Sequence, residues 1–374
     1  MTRAFRIGRV FGISIEIDYT WFIIFFIVVV GLASGRFAQY LPRISPGLRW
    51  LVAGLTTLLI FASVLLHELS HSVVALRSGL RISGITLFLF GGVSKLTDEP
   101  RSAGVELRMA IAGPLMSLVL AAVFLGASVL VRPLAGGEVF ATVFRWLGFV
   151  NGMLAAFNLL PGFPLDGGRV LRAGLWKWMA NLAEATRIAA TFGQALGFLM
   201  IIGGIFAFFT GAGFGGLWLA FIGWFLMQAA QQSYQQLMLH QALAGIPVRT
   251  VMTEEIETVP PDITLDQVVH DYIMGRNHPA FPVSDGGRVV GLLCVNDVRA
   301  VPRENWHQVT VRQTAPPLSE HNTIAASADA WEALTRMSTE NCGRLLVVED
   351  GNVKGIISRT DLMRLIRTRV ELGI

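Results

Sequence analysis

Apolar positions are spread unevenly along this chain. Residues 20–235 hold long hydrophobic runs, whereas residues 247–374 mix charged and apolar positions as a soluble domain does. A helix needs about 20 mostly apolar residues to cross a bilayer. Six runs meet that requirement, at 20–35, 51–76, 107–131, 140–160, 188–210 and 213–231. The fourth runs into "NLLPGFPLDGG", where prolines and glycines bring irregular backbone to membrane depth. Two further stretches are not spans. "RIGRVFGISIEID" (6–18) reads as a short strand, and "RISGITLFLFGGVSKL" (81–96) as a strand or hairpin with too short an apolar core.

The polar tail repeats itself. "PAFPVSDGGRVVGLLCVNDV" (279–298) aligns without a gap on "GRLLVVEDGNVKGIISRTDL" (343–362), a period of about 64 residues. Each copy reads as strand, turn, strand and the start of a helix, and a helical segment precedes it. Two copies predict a pseudo-symmetric α/β pair rather than a solenoid. The expected architecture is therefore a multi-pass α-helical membrane protein of about six spans with short membrane-associated β elements (1–235). A helical linker (236–246) and two α/β repeats (247–305 and 306–374) follow.

Composition agrees. Charged residues make up 15% of the chain, well under the quarter usual for soluble domains, and mean hydropathy is +0.56. The net charge of +4 is scattered singly between apolar runs, which fits membrane flanks and excludes a nucleic-acid face. Before the tail, Arg36, Arg43, Arg49, Arg132 and Arg145 fall on one side. The other twelve basic residues, from Arg3 to Arg187, fall on the N-terminal side. The positive-inside rule then places both termini in the cytoplasm, in the cell membrane. The first segment has no small-residue cleavage site, so the first span is expected to act as the address. Cys294 and Cys342 show no metal spacing and no disulfide framework, and read as indifferent thiols.

Against this apolar background, "VLLHELSHSVVA" (64–75) stands out. Ionisable residues in a membrane helix mark function, because burying them uncompensated costs several kcal/mol, roughly. His67 and His71 are four apart, project from one helical face and can chelate one metal, and zinc suits them. Glu68 is rotated beside that face, where a base that is not a ligand can take a proton from an attacking water. Histidine and cysteine are then exhausted before residue 240, so a third ligand must be a carboxylate. Glu16, Asp18, Asp98, Glu99, Glu106, Glu138, Asp166 and Glu184 are available. Glu138 lies on the outer side. Asp166 alone sits in a distinctive frame, at the inner end of the fourth span, where irregular backbone must line a cavity or be buried. Asn158, two turns earlier on that span, has an amide able to meet an oxyanion.

"HELSH", "AGPLMS" and "NLLPGFPLDGGRV" together resemble the site-2 protease family of intramembrane zinc metalloproteases, over about residues 1–235. The resemblance implies His67, His71 and Asp166 as zinc ligands, Glu68 as general base, and Asn158 as holder of substrate or oxyanion. In "AGPLMS", Gly113 and Pro114 read as close helix packing. A substrate helix must unwind to be cut, and a strand edge supplies replacement hydrogen bonds. The 81–96 segment is placed for this, with Gly91 and Gly92 allowing close backbone approach, as the resembled family also implies. The tail resembles a tandem cystathionine-β-synthase (CBS) pair, which senses adenine nucleotides. Ser358 and Asp361 match that family's ribose-contacting pattern. The first copy keeps Asp297 but has Cys294 in place of the hydroxyl, so at most one complete ribose site is expected. Such pairs also imply a homodimer.

The expected function is an intramembrane zinc endopeptidase acting on single-pass membrane proteins within the bilayer, with nucleotide control through the tail. The alternative is a nucleotide-regulated metal transporter or sensor. A carrier has no need of Glu68 beside the metal, nor does the outer half offer a relay of polar groups.

Overall fold

A computed structural model describes residues 4–89, 91–96, 100–134, 136–275, 280–339 and 343–372. The chain divides into two compact units, Met1–Gln235 and Gln236–Ile374. Among the described residues, six helices are long and apolar enough to cross a membrane: α1 (Thr20–Tyr40), α2 (Pro46–Arg77), α3 (Ala103–Val131), α4 (Gly137–Asn158), α6 (Leu182–Gly211) and α7 (Phe214–Leu243). A shorter helix, α5 (Asp166–Met179), lies between α4 and α6. All six expected spans are found, mostly longer than expected. The helical linker expected over 236–246 is not a separate element; as far as Leu243 it is the end of α7.

Helix α2 shows why the sequence folds this way. The Ser45 hydroxyl caps it by accepting from the Leu48 N–H at 3.4 Å, and Pro46 takes the first helical position, where its missing N–H costs nothing. Gly79 ends it with a φ of 78°, in the left-handed region. At about 1.5 Å per residue the helix is longer than the hydrocarbon core of roughly 30 Å. Its hydroxyls add little cost, because Thr56, Thr57 and Ser63 each donate to the carbonyl four residues back.

The two stretches read as strands meet in one sheet. β1 (Ala4–Val10) and β2 (Ile13–Asp18) form an antiparallel hairpin, and so do β3 (Ile82–Phe88) and β4 (Gly91–Leu96). β2 and β3 pair in parallel, with α1 and α2 in the crossover, giving the order β1-β2-β3-β4. β4 is therefore an edge strand. Ile13, Leu69 and Ile85 pack the sheet onto α2, as do Trp21, Phe61 and Leu87 onto α1 and α2.

In the second unit the repeat is visible bond by bond. β5 (Ala280–Asp285) pairs with β6 (Arg288–Cys294), which leads into α8 (Val295–Ala300). β7 (Thr323–Ala325) and α9 (Ala330–Thr339) precede the second copy, in which β8 (Arg344–Glu349) pairs with β9 (Asn352–Ser358) and leads into α10 (Arg359–Leu372). Both hairpins carry a bulge at the same place, after Val283 and after Val347. Both turn through two left-handed residues, Gly286–Gly287 and Asp350–Gly351. The hairpins bury Leu292 and Cys294 of one copy with Leu346 and Ile356 of the other. Cys294 is disulfide-bonded, which corrects its reading as an indifferent thiol. The sequence has one other cysteine, Cys342, outside the described residues.

Candidate active site

The last third of α2 carries the candidate metal residues. His67 Nε2 and His71 Nε2 lie 3.2 Å apart, and Asp166 Oδ2 is 3.1 Å from the first and 3.2 Å from the second. The far nitrogens are tied down from α3. His71 Nδ1 is 2.6 Å from the Met109 carbonyl, so it must donate, and its Nε2 keeps a lone pair. His67 Nδ1 meets the Ser117 hydroxyl at 2.9 Å. Such outer partners fix the ring and the tautomer of a metal-binding histidine.

The donor set fits zinc. Two imidazole Nε2 atoms and a carboxylate oxygen converge, and each ring presents a lone pair there when its Nδ1 carries the proton. Ligands held tetrahedrally at about 2.0–2.1 Å from one ion lie roughly 3.3 Å from each other, close to the separations found. Gly113 supplies the space. A Cβ there would lie 2.1 Å from His71 Nε2 and 2.6 Å from His67 Nε2, within the cradle itself. Met109, Gly113 and Ser117 are spaced by four on α3, so one stripe of that helix serves the whole centre. "AGPLMS" thus does more than pack helices. Gly113 keeps the space among the three donors open and Ser117 meets the His67 ring, and neither role was read from the sequence.

Asp166 lies just beyond the inner end of the fourth span and opens a separate helix, α5. The α4 helix ends at Asn158, and the segment 159–165 turns back on itself because Pro161 and Pro164 cannot continue a helix. The turn is tight. A Cβ on Gly167 would meet the Leu159 carbonyl oxygen at 2.3 Å, and the Phe163 N–H donates to the Ala189 carbonyl of α6 at 3.1 Å. Further along α5, Arg172 Nε donates to the buried Glu106 of α3 at 2.6 Å, and its guanidinium lies over the Phe163 ring. This ion pair ties the helix bearing Asp166 to the helix that orients the histidines.

The other carboxylates have other work. Glu16 accepts from Thr86 and Asp18 from Thr20, while Glu184 pairs with Arg187. Asp98 and Glu99 lie outside the described residues.

Glu68 sits under the edge strand. Ser94 of β4 donates to Glu68 Oε2 at 3.1 Å, and Ser72 is 3.1 Å from Ser94. A Cβ on Gly92 would meet Glu68 Cγ at 2.5 Å, and Gly91 has a φ of 127°. Both glycines are thus required by the hairpin itself, one for its turn and one for its contact with the base. Asn158 Nδ2 donates to the Leu154 carbonyl of its own helix at 3.0 Å, which leaves its second amide hydrogen uncommitted by that bond.

In the second unit, Ser358 and Asp361 cap α10 by bonding each other: the Ser358 N–H reaches Asp361 Oδ2 at 2.9 Å and the Asp361 N–H reaches Ser358 Oγ at 3.2 Å. Both line a cavity of about 540 Å³ with Phe281, Arg344, Arg359 and Arg364. Asp297 caps α8 in the same way, accepting from the Cys294 N–H at 2.8 Å, and does not line that cavity. Burial pushes its carboxyl above the usual range, against the effect of that hydrogen bond.

The chain matches the model of peptidase family M50 over residues 55–134 and 132–202, and that of the CBS domain over 248–304 and 314–368. Rip3 of Mycobacterium tuberculosis, named a zinc metalloprotease, is 34% identical over 372 residues, covering 98% of this chain and 93% of its own. The zinc metalloprotease MJ0392 of Methanocaldococcus jannaschii is 31% identical over 364 residues, covering 97% and 96%. A solved site-2 protease from the same archaeon is 31% identical, covers 68% of this chain and 99% of its own, and has a TM-score of 0.45. With a helix-borne pair of histidines, a converging aspartate and relatives of nearly equal length, the chain belongs to peptidase family M50, as a multi-pass membrane zinc metallopeptidase of the site-2 protease type with a tandem CBS pair.

Proposed function

We propose that this peptidase hydrolyses peptide bonds within or beside the transmembrane segments of single-pass membrane proteins, in the cell membrane, with both its own termini in the cytoplasm. The observation that carries this reading is the position of Glu68. It lies next to the ligand cluster without joining it, under a free strand edge, within a bundle of apolar helices.

His67, His71 and Asp166 would hold the zinc, which supplies polarisation of the scissile carbonyl and a lowered pKa for a water. Glu68 takes the proton of the attacking water and delivers it to the leaving amine. Ser94 holds one of its carboxylate oxygens, leaving the other to face the reaction. Asn158 donates its spare amide hydrogen to the oxyanion. The β4 edge accepts the unwound substrate as an added strand, which replaces the hydrogen bonds lost from the substrate helix.

The CBS pair takes one adenine nucleotide per chain. Ser358 and Asp361 meet its ribose, and Arg344, Arg359 and Arg364 line the same cavity as partners for phosphate. The continuous helix α7 is the covalent route by which that site influences the peptidase, and the pair is also the contact through which two chains join.

Membranes from cells expressing the wild type or Glu68→Gln, compared for new protein N-termini, test the proposal. Glu68-dependent cuts clustered in or near transmembrane segments support it. Their absence, with zinc retained in both forms, moves the chain to a metal-handling role.

A further inference from the structure

The end of the membrane unit that carries the metal residues has a basic feature that peptide hydrolysis does not use. Helix α2 closes with Arg77 and Ser78, and α3 passes beside it with Val105 and Arg108. With Val74 these residues line a cavity of about 300 Å³. Both arginines are exposed, and among the described residues neither enters an ion pair. The nearby acid on α3, Glu106, is already neutralised by Arg172. Among the described residues, then, two guanidiniums without an ion-pair partner line one hollow at the end of two membrane helices.

The surface leading away from the hollow is apolar. Ile111, Leu115 and Leu118 follow Arg108 at helical spacing on α3, and they are 41%, 56% and 48% exposed. In a bilayer this stripe meets acyl chains. A basic head and an apolar track on one helix face match the two halves of a phospholipid.

We propose that this cavity binds the phosphodiester headgroup of an anionic phospholipid, with one acyl chain lying along Ile111, Leu115 and Leu118. Paired guanidiniums suit phosphate because each presents a fork of donors to its oxygens. Basic pockets between membrane helices at the cytoplasmic side recognise such headgroups, and the proposed orientation puts Arg77 and Arg108 there. The site borders the metal centre. Arg77 lies six residues beyond His71 on α2, and Arg108 precedes Met109, whose carbonyl holds the His71 ring. A lipid bridging the two arginines tightens the α2–α3 contact on which that ring depends.

The test uses the full chain, in micelles doped with phosphatidylglycerol or phosphatidylcholine, with retained lipids counted by native mass spectrometry. The wild type is expected to keep phosphatidylglycerol in preference to phosphatidylcholine. Arg77→Gln/Arg108→Gln is expected to lower that retention on the order of tenfold or more, since each surface arginine contributes roughly a factor of five. Arg288→Gln/Arg299→Gln removes the same charge from the second unit and leaves retention unchanged. Arg77→Lys/Arg108→Lys keeps the charge and retains the lipid in part, which separates loss of charge from loss of fold. Equal retention in the wild type and the glutamine pair overturns the proposal. So does equal retention of the two lipids, or displacement by millimolar inorganic phosphate, which indicates an anion site without a lipid.

Discussion

The Ser94 hydroxyl donates to Glu68 Oε2 across 3.1 Å, joining the edge strand of the sheet to the helix that carries the metal residues. The strand proposed to receive substrate is thus also the strand that orients the base. Loss of this bond leaves Glu68 in place but free to rotate. Ser94→Ala is expected to lower kcat by about ten- to hundredfold with KM nearly unchanged, as one hydrogen bond to a charged group is worth about 1.5–3 kcal/mol. Ser94→Thr, which keeps the hydroxyl, restores most of the rate. Steady-state kinetics on a cleavable membrane substrate separates the two parameters.

Gly113 faces both ligand nitrogens, and any side chain there enters the space between them. Gly113→Ala improves local helix propensity by about 1 kcal/mol, so the fold is expected to survive. Zinc retention is not. Metal analysis of purified protein, paired with a thermal melt, checks both halves of this expectation.

The Glu106–Arg172 pair is buried and bridges α3 and α5. Removing one member strands the other charge away from water, which costs about 3–5 kcal/mol. Glu106→Ala is therefore expected to lower the melting temperature and to weaken zinc binding, because α5 carries Asp166. Replacing both residues, Glu106→Gln with Arg172→Gln, removes the stranded charge and is expected to recover much of the stability. Denaturation of the wild type and these two variants in one detergent measures the difference.

Nucleotide binding to the second unit is expected to follow one copy of the repeat. Asp361→Ala weakens binding at least tenfold through loss of ribose contacts, whereas Asp297→Ala leaves it unchanged, since Asp297 does not line the cavity. Titration calorimetry on the full chain reads affinity and stoichiometry together, with one nucleotide per chain expected.

Much of this site can be read from the chain because the chemistry is written in local spacing. His67 and His71 share a face at any helix pitch near four residues, and Asp166 is marked by the glycines and prolines that position it. The six spans are equally local, each a property of its own apolar run. What escaped the sequence depends on which distant segments meet. Ser117 and the Met109 carbonyl act only because α3 packs on α2, and nothing in either segment names the other. Glu106 stood among eight candidate carboxylates, and its partner, 66 residues on, settles its role. The separate helix that Asp166 opens, α5, escaped because at 14 residues it is too short to stand out as a span. The parallel pairing of β2 with β3 belongs to the same class of long-range fact.

The central claim is that three residues bind the metal while the fourth, adjacent to one of them, moves the proton. Zinc per chain, measured on purified wild type, Glu68→Gln, His67→Ala and Asp166→Ala, tests it most directly. The account predicts about one zinc in the wild type and in Glu68→Gln, with hydrolysis lost only in the latter, and little zinc in the other two. Loss of zinc from Glu68→Gln, or full zinc in Asp166→Ala, contradicts it.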